Sequence, residues 1–356
     1  VIQMTNYPLL KSILKMKKSL MTLGVLALFV LMAYGQEKKF ALYSVAFYNM
    51  ENLFDTIHDE GKNDYEYLPN GTNQWNTMKY KAKLKNMSEI LSLLSTDKLP
   101  MGPAIIGVSE IENYRVLEDI LKQPALADRG YQYVHYEGAD QRGVDCAFFY
   151  NPKLFELTNS KLVPYVYIND TVHKTRGFLI ASGNIAGEKM HFIVNHWPSR
   201  AAASPARERA GEQVRAIKDS LLREDSAAKI VIMGDMNDDP MDKSMAVALG
   251  AKRKPADVGP TDLYNPWWDT LKKGYGTLMY KGKWNLFDQI VFTGNLLGTD
   301  RSTLKFYKHE IFRRDFMFQK EGKYKGYPKR TQAGGVWLNG YSDHLPTIIY
   351  LIKEVK

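Results

Sequence analysis

Apolar, β-forming runs that stop abruptly on a carboxylate, an amide or an imidazole recur along this chain. Val231-Ile232-Met233-Gly234 runs into Asp235, and Ile105-Ile106-Gly107-Val108-Ser109 runs into Glu110. Phe192-Ile193-Val194-Asn195 ends at His196, and Leu42 to Tyr48 ends at Asn49. Asp343-His344 stands just before a last apolar run from Thr347. A short apolar run bounded by polar residues reads as a strand buried on both faces. Side chains at the ends of such strands collect on one rim of a rigid sheet, where a site assembles from distant sequence. A carboxylate leaving the core also needs a partner or a cation, because a buried unpaired charge is costly.

Strands are predicted over residues 42–48, 104–108, 131–136, 145–150, 177–183, 190–194, 229–233, 285–293 and 347–353. Helices are predicted over 75–94, 113–121 and 205–223; Leu84, Met87, Ile90, Leu91 and Leu94 keep near-helical spacing in the first. Residues 55–74 and 251–283 read as loops, rich in Asp, Asn, Gly and Pro. No repeat, heptad or low-complexity linker divides the chain. Two sheets covered by helices in one domain, residues 36–356, are therefore expected. A single cysteine, Cys146, excludes an internal disulfide framework and a thiolate zinc cage, and its apolar neighbours mark it as a core residue.

Residues 1–35 read as an address. Met16-Lys17-Lys18 precedes the apolar run Thr22 to Met32, and Ala33-Tyr34-Gly35 offers small residues for cleavage before Gln36. This is a secretory signal peptide pattern, with Met16 as the expected start, so a secreted or periplasmic protein is expected. An uncleaved anchor is the alternative, although the run is short for a membrane span. Removing the segment takes Lys11, Lys15, Lys17 and Lys18 with it and no acid, so the formal charge falls from +9 to +5. A modest positive excess suits a polyanionic partner.

Each polar residue at a strand end, taken alone, reads as a turn cap. Their ordered combination carries more. Asn49-x-Glu51, Ser109-Glu110, Asn195-His196, Gly234-Asp235-Met236-Asn237, Asp288 and Ser342-Asp343-His344-Leu345-Pro346 resemble the endonuclease/exonuclease/phosphatase superfamily over about residues 42 to 352. That superfamily includes deoxyribonucleases, apurinic-site endonucleases, inositol-polyphosphate phosphatases and neutral sphingomyelinases. The resemblance implies an α/β (α+β) fold, a four-layer sandwich with two mixed or antiparallel sheets face to face and helices on both outer faces.

The resemblance also implies roles. Glu110, Asn49, Glu51 and Asp343 would build a site for Mg²⁺, with Mn²⁺ or Ca²⁺ as substitutes; oxygen donors without thiolates suit such hard cations. Asp235 would orient or deprotonate the attacking water, with Asn237 beside it. His344 would contact the phosphate, steadied by Asp288, and His196 would be a second acid/base or phosphate contact. Asp145 would pair with His196, or else be a plain strand-end charge. Arg142, Arg176 and Arg200 are candidate phosphate contacts, whereas Arg207 and Arg209 among Glu208 and Glu212 read as a solvated helix face.

Asp238-Asp239-Pro240 after Gly-Asp-x-Asn, and Phe287-Asp288-Gln289, depart from the inositol-polyphosphate branch. Asn195-His196-Trp197-Pro198-Ser199-Arg200 resembles secreted bacterial nucleases. A nucleic-acid phosphodiesterase is the first expectation. A phosphomonoesterase or lipid phosphodiesterase acting on a phosphorylated small molecule or lipid is the second, with Tyr264-Asn265-Pro266-Trp267-Trp268 as the one candidate lipid hairpin. A non-catalytic binding protein is the third.

Overall fold

The computed structural model describes residues 38–168 and 172–355, with residues 12, 15–18 and 21 ahead of them. The expected leader over 1–35 lies largely outside the described residues. Residues Leu42–Lys353 form one compact unit. The flanking ends form a second, in which Lys38 pairs with Glu354 at 2.8 Å.

The strands, in chain order, are β1 (Lys39–Leu53), β2 (Ile105–Ile111), β3 (Gln132–His135), β4 (Asp145–Tyr150), β5 (Phe155–Val163), β6 (Phe178–Ile185), β7 (Glu188–His196) and β8 (Lys229–Asp235). They continue with β9 (Ala251–Lys252), β10 (Leu263–Tyr264), β11 (Leu278–Tyr280), β12 (Lys283–Asn285), β13 (Asp288–Thr293), β14 (Lys305–Ile311), β15 (Gln332–Ala333), β16 (Val336–Trp337) and β17 (Thr347–Val355). The helices are α1 (Thr77–Leu93), α2 (Tyr114–Leu121), α3 (Ser204–Glu224) and the short α4 (Trp268–Lys272).

One sheet has the order β14-β17-β1-β2-β4-β3 and the other β5-β6-β7-β8-β13-β10-β9. Both are mixed: β1 runs parallel to β2 in the first, and β7 parallel to β8 and β9 parallel to β10 in the second, beside antiparallel pairs such as β2–β4, β6–β7 and β8–β13. Period-two alternation along β1 shows why the sheets stack. Val45 and Phe47 join Phe148, Phe192, Val231 and Ile349 in the core between the sheets. Ala46 and Tyr48 face the other way, onto Leu84, Met87 and Ile90 of α1 and Val116 and Leu117 of α2. On the far side, Ala210, Val214 and Leu221 of α3 cover Ile193, Ile230 and Ile232. Three apolar layers between four layers of secondary structure are the expected sandwich. At Gly107 the sheets approach so closely that a Cβ would lie 2.6 Å from Met233 Sδ.

Two long strands escaped the sequence reading, β5 and β14, as did the short β9, β10 and β11, within the stretch 251–283 read as loop, and β15 and β16. β5 and β14 each lie at the edge of a sheet and read polar, Phe-Glu-Leu-Thr-Asn-Ser-Lys-Leu-Val and Lys-Phe-Tyr-Lys-His-Glu-Ile. Edge strands carry charge that discourages further pairing, and this erases the apolar run. The aromatic segment considered as a lipid hairpin is core packing. Trp267 is fully buried and donates its Nε1–H to the Ile290 carbonyl.

Candidate active site

Strand register assembles the centre. In the parallel pair β7–β8, His196 stands opposite Asp235, and in the antiparallel pair β8–β13, Asp288 stands opposite Asp235. Three adjacent strands thus set one imidazole and two carboxylates side by side at a sheet end. In the other sheet Asn49 of β1 stands opposite Ser109 of β2, and both ladders shift immediately beyond. Such bulges re-aim side chains beside functional sites. Glu51, Asn52 and Glu110, with φ of 46°, 54° and 59°, and Asn237 at 52°, all sit in left-handed backbone. Each such residue costs about 1–3 kcal/mol and persists only where its surroundings hold it.

The two sheet ends meet through Asn49. Its Nδ2 donates to Glu110 Oε1 and to Asp235 Oδ2, each at 3.0 Å. The Asn52 backbone N–H donates to the other Glu110 oxygen at 3.0 Å. His196 Nε2 lies 3.6 Å from Glu110 Oε1 and 3.8 Å from Asp235 Oδ2. His344 Nε2 lies 3.8 Å from that same Asp235 oxygen, while its Nδ1 pairs with Asp288 Oδ2 at 2.7 Å. Ser342 Oγ donates to the Asn49 carbonyl at 2.8 Å, which brings the segment before β17 into the cluster. Asn237 donates its backbone N–H to Asp235 Oδ1 and its side-chain amide to the Trp197 carbonyl.

The electrostatics separate the two histidines. Burial opposes charge on His344, yet Asp288 and Asp235 outweigh it and hold the ring protonated well above the usual histidine range. Burial, then Arg176 and Arg142, push His196 well below that range, so its ring is neutral. Burial and Asp288 raise the Asp235 carboxyl against the pull of His344.

Glu110, His196 and Asp235 place ligand atoms within 4.8 Å of one another. The donors fit a hard divalent cation: two carboxylates crowded with like charge beside one imidazole, Glu110 partly accessible to solvent, and no thiolate. Asp235, Asp288 and His344 form a second close set, but its Asp288–His344 pair is already joined. The other three expected ligands are engaged differently. Asn49 Oδ1 accepts from the Glu51 N–H at 2.8 Å. Glu51 accepts from Arg330 Nε at 2.9 Å and Thr331 N at 2.7 Å, and Asp343 accepts from Arg330 Nη2 at 2.8 Å.

Three expectations need correction, those for Asp145, Arg176 and Arg207. Asp145 does not pair with His196; its carboxylate lies 3.2 Å from His135 Nε2 on the neighbouring β3 and accepts the Gly138 N–H. Arg176 is buried, bound to Asp140 at 3.0 Å and to the Trp197 carbonyl at 2.9 Å, so it braces the His196 loop rather than facing a substrate. Arg200 is half-exposed but tied to Asp238, Asp239 and Asp242. Arg142 stays largely exposed, 3.5 Å from Asp140. On α3, Arg209 pairs with Glu212 as expected, whereas Arg207 is buried against Asp238 at 2.9 Å.

Arg330 and Lys83 were missed. Arg330 sits among lysines and glycines, in a stretch to which no element was assigned. Lys83 did leave a signal: it shares the apolar stripe of α1 with Tyr80, Leu84 and Met87. It is fully buried, bonded to Thr331 Oγ1 and to the Tyr341 carbonyl at 2.7 Å, under Glu51.

The Endonuclease/Exonuclease/phosphatase family profile matches residues 44–353. No curated protein matches by sequence. Solved structures with this fold include a family protein from Bacteroides thetaiotaomicron (15% identity, 90% of this chain and 98% of that one, TM-score 0.56). A mannosyl-6-phosphatase from the same organism (14%, 87% and 99%, TM-score 0.53) also has it. So does D. rerio TDP2 complexed with single-strand DNA product (15%, 87% and 99%, TM-score 0.51). The profile match spans nearly all of Leu42–Lys353, and the chain is a member of the endonuclease/exonuclease/phosphatase family, whose members are metal-dependent hydrolases of phosphate esters.

Proposed function

We propose that this chain hydrolyses phosphate esters with one divalent cation, Mg²⁺ by its oxygen donors, held at Glu110 beside Asp235. The carrying observation is the convergence on Asp235 Oδ2, which lies 3.0 Å from the Asn49 amide and 3.8 Å from each of two histidines, one protonated and one neutral. The bound cation would neutralise phosphate oxygens and favour the leaving group. Asp235, its pKa raised by burial, orients the attacking water and takes its proton. Asn237 fixes Asp235 through the bond to Oδ1. Protonated His344 donates to the developing phosphate charge, neutral His196 supplies a second contact, and Asp288 positions His344.

For substrate, the sequence favours nucleic-acid phosphodiesters, and the TDP2 likeness supports that reading. A specific observation favours a second reading, a small phosphate ester: of the candidate phosphate contacts Arg176 and Arg200 are spent on carboxylates, which leaves Arg142 as the one largely exposed and short of a track for a backbone. Plasmid nicking and release of inorganic phosphate, each with Mg²⁺ and beside Glu110→Ala and His344→Ala, separate the two. Loss of neither activity in both variants removes the proposed centre.

The leader pattern supports export, and among the described residues no helix is long and apolar enough to cross a membrane. Recovery of the processed chain, starting at Gln36, from periplasm or medium tests this; retention of an intact chain in the cytoplasm rejects it.

A further inference from the structure

A cavity of about 320 Å³ opens next to the catalytic cluster, between the 65–75 segment and the Arg330–Gly335 segment. Glu51 and Asn52 form its inner wall, and Asn52 is the residue whose backbone N–H holds Glu110. Building on the phosphoester-hydrolase reading, we propose that this cavity receives the neutral, hydroxyl-rich ring that carries the scissile phosphate.

Size argues first. The volume sits at the small end of ligand pockets, which span about 300–1,000 Å³, and suits one sugar ring rather than a duplex. Charge argues next. Glu51 and Glu66 line the cavity with Arg330 as the one cation among its lining residues, and that guanidinium is already shared between Glu51 and Asp343. The exposed Glu66 carboxylate disfavours a second phosphate there and offers an acceptor to hydroxyl groups. Asn73, which donates to Glu66 at 3.3 Å, and Gln332 add amide groups that both donate and accept. Gly334 and Gly335 leave their backbone uncovered, and nothing lies within 4 Å of where either Cβ would stand. Tyr67, with fully buried Trp75 edge to face behind it at 5.8 Å, closes the floor of the cavity. A hydroxyl-bearing ring is recognised by such paired polar groups, which penalise any analogue lacking them.

The test uses the full chain with Mg²⁺ and four esters: a hexose phosphate, a nucleoside monophosphate, glycerol phosphate and nitrophenyl phosphate. The expected result is a kcat/KM for one ring-bearing sugar ester at least about tenfold above that for glycerol phosphate. Which of the two sugar esters wins identifies the source of the ring. Ala333→Phe, which fills the cavity from the β15 wall, should raise KM for that ester by about tenfold or more and leave nitrophenyl phosphate within about twofold. Glu66→Gln, at an exposed position, should move KM in the same direction and guards against a folding defect in the first variant. Equal rates on all four esters, or equal losses on all four in both variants, overturn the cavity assignment and leave the hydrolase reading standing. Calorimetric binding of the hexose phosphate separates the converse case. Binding without turnover that Ala333→Phe abolishes keeps the cavity and overturns hydrolysis; neither binding nor turnover of either sugar ester overturns the cavity.

Discussion

Asn49 Nδ2 donates to Asp235 Oδ2 at 3.0 Å, and this bond ties the end of β1 in one sheet to the end of β8 in the other. The same amide group orients Glu110. Asn49→Ala therefore frees two carboxylates at once. We expect kcat to fall by about 10²–10³, the range for losing one well-placed donor at a reacting centre. Stability should fall by about 1–3 kcal/mol for two buried acceptors left unpaired. Steady-state kinetics beside urea unfolding reads both; an unchanged kcat would show that the bridge does not position the reacting groups.

His344 keeps its proton because Asp288 and Asp235 outweigh the cost of burial. Its folded pKa is raised, so the charged form persists through neutral pH and is lost only as pH climbs through the raised value. Asp288→Asn removes the largest favourable contribution. The alkaline limb of the pH–kcat profile should move to lower pH. A limb that does not move would mean that another group sets it.

Lys83 is a buried charge whose main counter-charge is Glu51, itself pushed up to about 7 by burial and Asp343. Lys83→Met leaves Glu51 with Arg330 alone. Removing one partner of a buried pair costs about 3–5 kcal/mol, and urea unfolding should show a loss of that size. Adding Glu51→Gln should restore part of it. A Lys83→Met variant as stable as the parent would place Lys83 outside this network.

Chelation should abolish hydrolysis, and Mg²⁺ should restore it. Glu110→Gln should raise the half-saturating Mg²⁺ concentration by more than the about 10–100-fold typical of losing an outer partner of a metal ligand. Titration of activity with Mg²⁺ measures the shift. Restoration of both proteins at the same concentration would rule Glu110 out as the ligand.

Far from the site, His309 Nε2 lies 2.9 Å from Thr270 Oγ1 with its ring against Trp267, and burial pushes its pKa down to about 4. The folded ring stays neutral where the unfolded chain binds a proton. Its contribution is therefore complete above the unfolded value of 6.5 and declines as pH falls towards about 4. The loss is at most about 3 kcal/mol. His309→Gln should flatten the stability curve across that window; an identical slope in parent and variant would refute it.

The strands that carry Asn49, Glu110, His196 and Asp235 were legible because each is buried on both faces, and a strand so placed has to be apolar until it ends. Lys83 was half-legible, as a charge on an apolar helical stripe. β5, β14 and Arg330 were not, since edge strands and loop cations look like any solvated segment. The local chemistry of this protein, its strand ends, its donors and its covered helix faces, was determined by residue type and periodicity alone. Which groups meet was decided by the tertiary structure. Asp145 turned to His135 across an antiparallel ladder, Arg176 was drawn inward by Asp140, and Asn49 came to bridge carboxylates 61 and 186 residues away. The physical reason is that strand register and sheet stacking set such distances, and a short stretch of sequence does not encode the register of a partner it has yet to meet.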